Sequence, residues 1–240
     1  MERLDKFISN QTGISRADVK KEIRAKRVAV GGIIAKSGDM KIDPETDVVT
    51  ISGKEITYKR YLYIMMNKPA GYVCSTDDNT APTVIDLLPD ELKRKGLFPA
   101  GRLDKDTEGF VLITDDGEFA HDILSPSKHV AKKYLCRLEK KAEKEYENAF
   151  KSGIIISGGE ECKPALIEFT DDENLVYLTI FEGKFHQIKR MFEAVGNRIT
   201  YLKRLSMGGL FLDENLALGE CREILHKEIE KIKSQIDGLP

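Results

Sequence analysis

The sequence predicts an α+β protein in two parts, a small αα-plus-β unit over residues 1–58 and a mainly antiparallel, mixed α+β domain over residues 59–240. Three observations carry this reading. Helical spacing at the start gives way to short β-branched runs around glycine turns. Beyond residue 60, strand-like runs are joined by short connections with only a few helices between them, which favours α+β over a doubly wound sheet. The charge is also divided unevenly: of 38 Lys+Arg and 40 Asp+Glu, residues 1–60 hold 13 and 9, net +4, leaving 25 and 31, net −6.

Leu4, Phe7 and Ile8 stand at i, i+3 and i+4, the spacing of a short amphipathic helix that Gly13 stops. Ser15-Arg16-Ala17-Asp18 fits a capping box and predicts a second helix. Along it Val19 and Ile23 face inward, while Arg16, Lys20, Arg24 and Arg27 form a basic stripe. That stripe is the candidate RNA surface; the competing reading is an ordinary solvated helix face. Val28 to Ile34 and Val48 to Gly53 give short strands, completing a unit near the lower size limit for an independent core.

The hydrophilic link Thr57-Tyr58-Lys59-Arg60 precedes a strand at Tyr61–Met66 that ends at the turn Asn67-Lys68-Pro69-Ala70-Gly71 and continues into Tyr72–Asp78. Val111-Leu112-Ile113 is an apolar strand, Lys141 to Lys151 reads as a polar helix, and Ala165–Phe169 as the antiparallel neighbour of Leu175–Phe181. Ile188, Met191, Phe192 and Val195 mark a short helix with one buried face, stopped by Gly196.

With 41% apolar residues the chain builds a real core, and no apolar run approaches the roughly 18 residues that span a bilayer. The N-terminus is charged from its second residue, so no leader or anchor is expected. Cys74, Cys136, Cys162 and Cys221 are widely spaced and read as isolated thiols of a reducing, cytoplasmic setting. Residues 183–204 form a second basic island, with Lys184, Lys189, Arg190, Arg198, Lys203 and Arg204 against Glu193 alone. Two such islands on a near-neutral chain point to a polyanion gripped at defined places.

The most informative stretch is Gly101-Arg102-Leu103-Asp104-Lys105-Asp106-Thr107-Glu108-Gly109-Phe110. It sets a carboxylate beside an arginine at the mouth of an apolar strand, where desolvation is costly unless both are satisfied, so Asp104 is the candidate catalytic group. Lys189 sits beside the apolar face of its helix, from which its ammonium can reach a carboxylate; the competing reading is a lysine snorkelling to water. Asp104 and Asp106 as a glycosidase pair find no further support, because nothing else marks a sugar cleft. The sequence has no Walker, dinucleotide-binding, serine-hydrolase or zinc-protease motif. His121, His129 and His226 read as structural or surface residues, and His186 as a scaffold residue of its motif.

Arg3–Ile8, Ser15-Arg16 and the run from Ile23 to Val30 resemble an S4 domain, a small module that binds structured RNA. Gly101–Gly109, Lys132-Lys133-Tyr134-Leu135 and Gly183 to Met191 resemble the motifs of pseudouridine synthases in the branch with an N-terminal S4 domain. Tyr72–Asp78, Pro82-Thr83-Val84, Lys163-Pro164-Ala165 and Gly208-Gly209 most resemble the 16S rRNA-specific type; the basic C-terminal tail frequent in large-subunit types is not present at Pro240. Lys184 and Phe110 depart from residues common in that family, Arg and Leu.

The resemblance implies isomerisation of a uridine in 16S rRNA without metal or organic cofactor, by a monomer acting on the RNA or on a small-subunit assembly intermediate. It implies Asp104 as nucleophile, Lys189 as its cationic partner within about 4 to 6 Å, and Tyr134 for base stacking and proton movement. It further implies Arg102 filling the gap left by a flipped nucleotide, Ile188 lining the base pocket, and Arg190, Arg198, Lys203 and Arg204 on backbone phosphates. The alternatives are a 23S rRNA enzyme of the same family and a non-catalytic S4-type RNA-binding factor.

Overall fold

The computed structural model describes residues 1–125 and 130–234, so His129 lies outside the described residues. Contacts divide the chain into two units, Met1–Leu62 with Leu88–Leu97, and Tyr63–Leu87 with the chain from Phe98 onward.

In the first unit β1 (Glu2–Arg3) runs directly into α1 (Leu4–Thr12), where Leu4, Phe7 and Ile8 are fully buried. Gly13 ends α1 at φ 71, and a Cβ there would lie 2.8 Å from the carbonyl oxygen of Lys93, in the returning segment Leu88–Leu97. The second helix, α2 (Arg16–Arg24), starts at Ser15, whose hydroxyl accepts from the Asp18 amide at 3.1 Å and donates to the Asp18 carboxylate at 2.6 Å. Val19 and Ile23 pack inward, as their spacing predicts. The helix stops at Arg24, with Lys26 at φ 61, so Arg27 leaves the expected stripe and is paired with Glu22 at 2.6 and 2.8 Å.

Then follow β2 (Val28–Val30), β3 (Ile33–Ile34), β4 (Lys41–Ile42), β5 (Val49–Ile51) and β6 (Lys54–Glu55). Four of these make an antiparallel sheet in the order β3-β2-β5-β6, while β4 pairs with β1. Asp5 joins β1, α1 and α2 from a fully buried position, accepting from Arg3 at 3.1 and 3.0 Å and from Arg16 at 2.9 and 3.0 Å. The Arg3 hydrogen bonds, opposed by burial and reinforced by Arg16, bring its carboxyl down to about 2.

The second unit comprises β7 (Tyr63–Lys68), β8 (Phe98–Ala100), β9 (Glu108–Thr114), α3 (Gly117–Leu124), β10 (Lys132–Leu138), α4 (Glu145–Lys151), β11 (Ile155–Ile156), β12 (Glu160–Glu161), β13 (Leu166–Phe169) and β14 (Leu175–Ile180). It closes with α5 (Gln187–Ala194), β15 (Ile199–Met207), β16 (Leu210–Phe211), β17 (Cys221–Glu223) and α6 (His226–Lys233). Its nine-stranded sheet runs β13-β14-β10-β15-β9-β7-β17, with β16 on β15 and β8 on β9. The β15–β9 junction is parallel and the others are antiparallel. Met65, Phe110, Leu112, Ile123, Met207 and Ile232 contribute to the core on which this sheet rests.

Several boundaries move. The helix expected from Lys141 begins only at Glu145, because Ala142 donates its amide to Glu173 at 2.7 Å and Lys141 pairs with the same residue. Strand β7 runs two residues further than its composition suggests, burying Asn67 and Lys68. Tyr72–Asp78 holds one bridge, Val73 to Thr83, rather than a strand.

Candidate active site

Loop 101–107 leaves β8 and enters β9, and it borders a cleft of about 600 Å³ whose other walls come from β10, β15 and the start of α5. Asp104 lies in this wall with its side chain 26% exposed, and its Oδ2 is 3.2 Å from the Lys189 ammonium. The expected carboxylate–lysine pair therefore forms. Arg102, two residues before it, is exposed at the cleft rim, and the partners of Asp104 come from α5 and its N-cap instead.

Lys189 also donates to Asp106 at 2.7 and 2.9 Å. Burial pulls the Lys189 pKa down, but the bonds to Asp106 and Asp104 outweigh it and leave the group above its ordinary value, so it stays charged. Asp106 is opposed by burial and held below the usual carboxylate range by that lysine. Its side chain is 71% exposed and does not line the cleft. The two carboxylates share one cation but differ in what they face.

The loop is braced by two buried cations. Arg204 is 1% exposed and donates through Nε to the Phe110 carbonyl at 2.7 Å and through a terminal nitrogen to the Gly101 carbonyl at 2.9 Å. The expectation that it holds backbone phosphates is corrected here: Arg204 faces inward on β15 between Leu202 and Ser206, the alternation a half-buried strand imposes. Lys68, fully buried on β7, donates to the carbonyls of Pro69, Lys105 and Thr107 at 3.0, 3.2 and 2.7 Å. Together they fix both ends of the segment that carries Asp104.

Tyr134 on β10 lines the cleft and is almost fully buried; burial raises its pKa, against the nearby Arg204 charge. Ile188 is buried in the cleft wall. Arg190 is already engaged, bonding Ser157, the Phe185 carbonyl at 2.9 Å and Glu160 at 2.7 Å. In the first unit Arg16 is tied to Asp5, while Lys20 and Arg24 are exposed and have no ion-pair partner among the described residues.

The sequence alone gives three cleft residues no chemical role. His186, read as scaffold, adopts φ 47, ψ 34 and brings Nε2 to 3.7 Å from Asp104 Oδ1. Phe185 stacks on it at 3.8 Å between centroids and is itself 71% exposed, an aromatic displayed to solvent at the cleft. Thr107 lines the cleft with its hydroxyl buried and unpaired among the described residues. Among the described residues the four cysteines form no disulfide, no His, Cys, Asp and Glu cluster could hold a metal, and no helix is long and apolar enough to cross a membrane.

A family model described as RNA pseudouridylate synthase matches residues 62–194, and one described as S4 domain matches residues 2–49. The Bacillus subtilis (strain 168) protein named Uncharacterized RNA pseudouridine synthase YtzG is 46% identical over 230 residues, 95% of this chain and 96% of that one. The chain belongs to the RNA pseudouridylate synthase family. Another member, the Ribosomal small subunit pseudouridine synthase A of Escherichia coli (strain K12), is 44% identical over 231 residues, covering 96% of this chain and 99% of its own. A solved chain described as a pseudouridylate synthase superposes with a TM-score of 0.68 at 43% identity, over 97% of this chain and 100% of that one. The protein is thus an isomerase with an S4 domain ahead of a mixed-sheet synthase domain, the fold class its residue patterns predict.

Proposed function

We propose that this protein converts a uridine of small-subunit (16S) ribosomal RNA into pseudouridine, with residues 1–58 gripping the RNA and residues 59–240 carrying the chemistry. The observation that carries the reading is the Asp104 carboxylate paired with the Lys189 ammonium at 3.2 Å on the wall of an open cleft. The names of relatives such as the Escherichia coli small-subunit enzyme support the choice of RNA. In this reading the monomer works in the cytoplasm, on free 16S rRNA or on a small-subunit assembly intermediate.

The reaction exchanges an N1–C1′ bond for a C5–C1′ bond with no redox change. Asp104 is the nucleophile, dividing one hard step into two easier ones, and Lys189 holds it and remains charged throughout. Reaching the bond requires the nucleotide to leave its stack, at a cost of a few kcal/mol. Arg102, exposed at the rim, fills the vacated place, while Tyr134 and Ile188 receive the base. Incubation with 16S and 23S transcripts, followed by pseudouridine mapping, should give one new site in 16S and none in 23S. Modification of 23S alone, or of neither, overturns the proposal.

On the first unit, Lys20 and Arg24 are the stripe members left to meet phosphate. Lys20→Glu with Arg24→Glu should weaken rRNA binding by about tenfold or more at moderate salt and lower the slope of log affinity against log salt by about 2. Filter binding across a salt series checks this. An unchanged slope removes the stripe from the interface.

A further inference from the structure

Whichever atom the carboxylate attacks, negative charge moves from Asp104 to the base. If Asp104 bonds to C1′, the electron pair of the N1–C1′ bond goes to N1 and uracil departs as an anion. If it adds to the ring instead, the charge goes onto the ring as an enolate. In the return step C5 bonds to C1′, the carboxylate leaves with its charge restored, and the C5 proton is transferred to N1. Lys189 serves the first and last states of that sequence, but it does not explain what holds the charge while it resides on the base.

The floor of the cleft contains two cations that the reaction as described above does not use. Lys132 is 8% exposed and Arg204 is 1% exposed, and both line the cleft. Lys132 and Tyr134 project from the same face of β10, two residues apart, and Arg204 stands opposite Tyr134 across the β10–β15 ladder. Among the described residues neither cation has a carboxylate within ion-pair distance. The Lys132 ammonium donates to the Val130 carbonyl at 2.9 Å, and Arg204 donates to the two carbonyls that brace the loop. Arg204 is also hydrogen-bonded to the Tyr134 hydroxyl, whereas the Lys132 ammonium keeps N–H donors that no group among the described residues takes up. Buried cations without counter-ions are costly, and desolvation, assisted by Arg204, lowers Lys132 to about 8.

We infer that Lys132 and Arg204 form an anion-binding floor that holds the detached or enolised uracil ring while it carries the charge, with Lys132 a catalytic residue. The inference rests on the pseudouridine synthase reading and adds to it the group that stabilises the developing base anion. Arg204 also braces the Asp104 loop, so Lys132 is the residue to test.

The decisive comparison is Lys132→Gln against Lys132→Arg and the parent protein, in single turnover, on target RNA containing uridine or 5-fluorouridine. Fluorine at C5 stabilises the ring anion without help from the protein. Lys132→Gln should bind RNA as the parent does, lose about 100-fold in rate on uridine, and lose several-fold less on 5-fluorouridine, read as disappearance of that nucleoside from digests. Lys132→Arg should recover most of the rate. If Lys132→Gln melts early, Lys132→Met, which keeps the stem packing, carries the same comparison. Equal losses on the two substrates, or a uridine rate close to the parent's, overturn the inference. A parent protein that converts no uridine instead overturns the reading on which the inference rests.

Discussion

Asp104→Asn is expected to reduce pseudouridine formation by about 10⁴-fold or more, with RNA affinity kept within a few-fold. The amide is nearly the same size, so the cleft keeps its shape, but it cannot form the covalent bond that splits the reaction. Nor should the fold suffer. Lys189, deprived of one partner, keeps Asp106 at 2.7 Å, so no buried ammonium is orphaned. Asp106→Asn is the informative contrast. That carboxylate is largely exposed and outside the cleft wall, and Lys189 would still hold Asp104, so a loss of no more than about tenfold is expected. Tritium release from RNA carrying [5-³H]uridine measures both. A normal rate in Asp104→Asn, or equal inactivation by the two substitutions, would remove Asp104 from the nucleophile's role.

The same two residues illustrate what the sequence makes legible. Asp104 and Lys189 are 85 positions apart, so no local pattern joins them; the loop motif and the helix spacing each identify one half, and the family resemblance pairs them. Local rules served well where local physics decides the outcome. Gly13 and Ser15 do end and begin helices, because a left-handed φ and an orphan amide are satisfied within a few residues. They failed where a charge's value depends on its distant neighbours. Arg204 looked like a surface cation, yet Leu202-x-Arg204-x-Ser206 alternates inward on a nine-residue strand. That alternation becomes readable only once Ile199–Met207 is known to be a strand. Lys68, likewise, was read as part of a turn, and only the carbonyls of Lys105 and Thr107, nearly forty residues on, make its burial intelligible. Arg27 was misplaced because the stripe assumed three more helical residues than α2 possesses.

Gly109→Ala is expected to remove activity by a different route, through the sheet rather than the chemistry. Gly109 has φ 100, where an L side chain costs about 1–3 kcal/mol. It also pairs with Arg204 at the parallel β15–β9 junction, and a Cβ would stand 2.2 Å from the Arg204 carbonyl oxygen and 2.8 Å from its amide nitrogen. Neither backbone can yield cheaply: β15 is fixed on its other side by the ladder to β10, and β9 by the ladder to β7. Separating the strands would pull the Phe110 carbonyl from Arg204 and release the loop that presents Asp104. The combined cost should exceed about 4 kcal/mol, the range reserved for backbone strain and overpacking together, and lower the melting temperature of the second unit by about 10 °C or more. Gly117→Ala supplies the control, since a Cβ there meets nothing within 4 Å at the start of α3; its melting temperature should stay at or slightly above the parent's. Calorimetry on both variants separates the outcomes, and a Gly109→Ala melt indistinguishable from that of Gly117→Ala would mean that the close approach of β9 to β15 does not constrain the site.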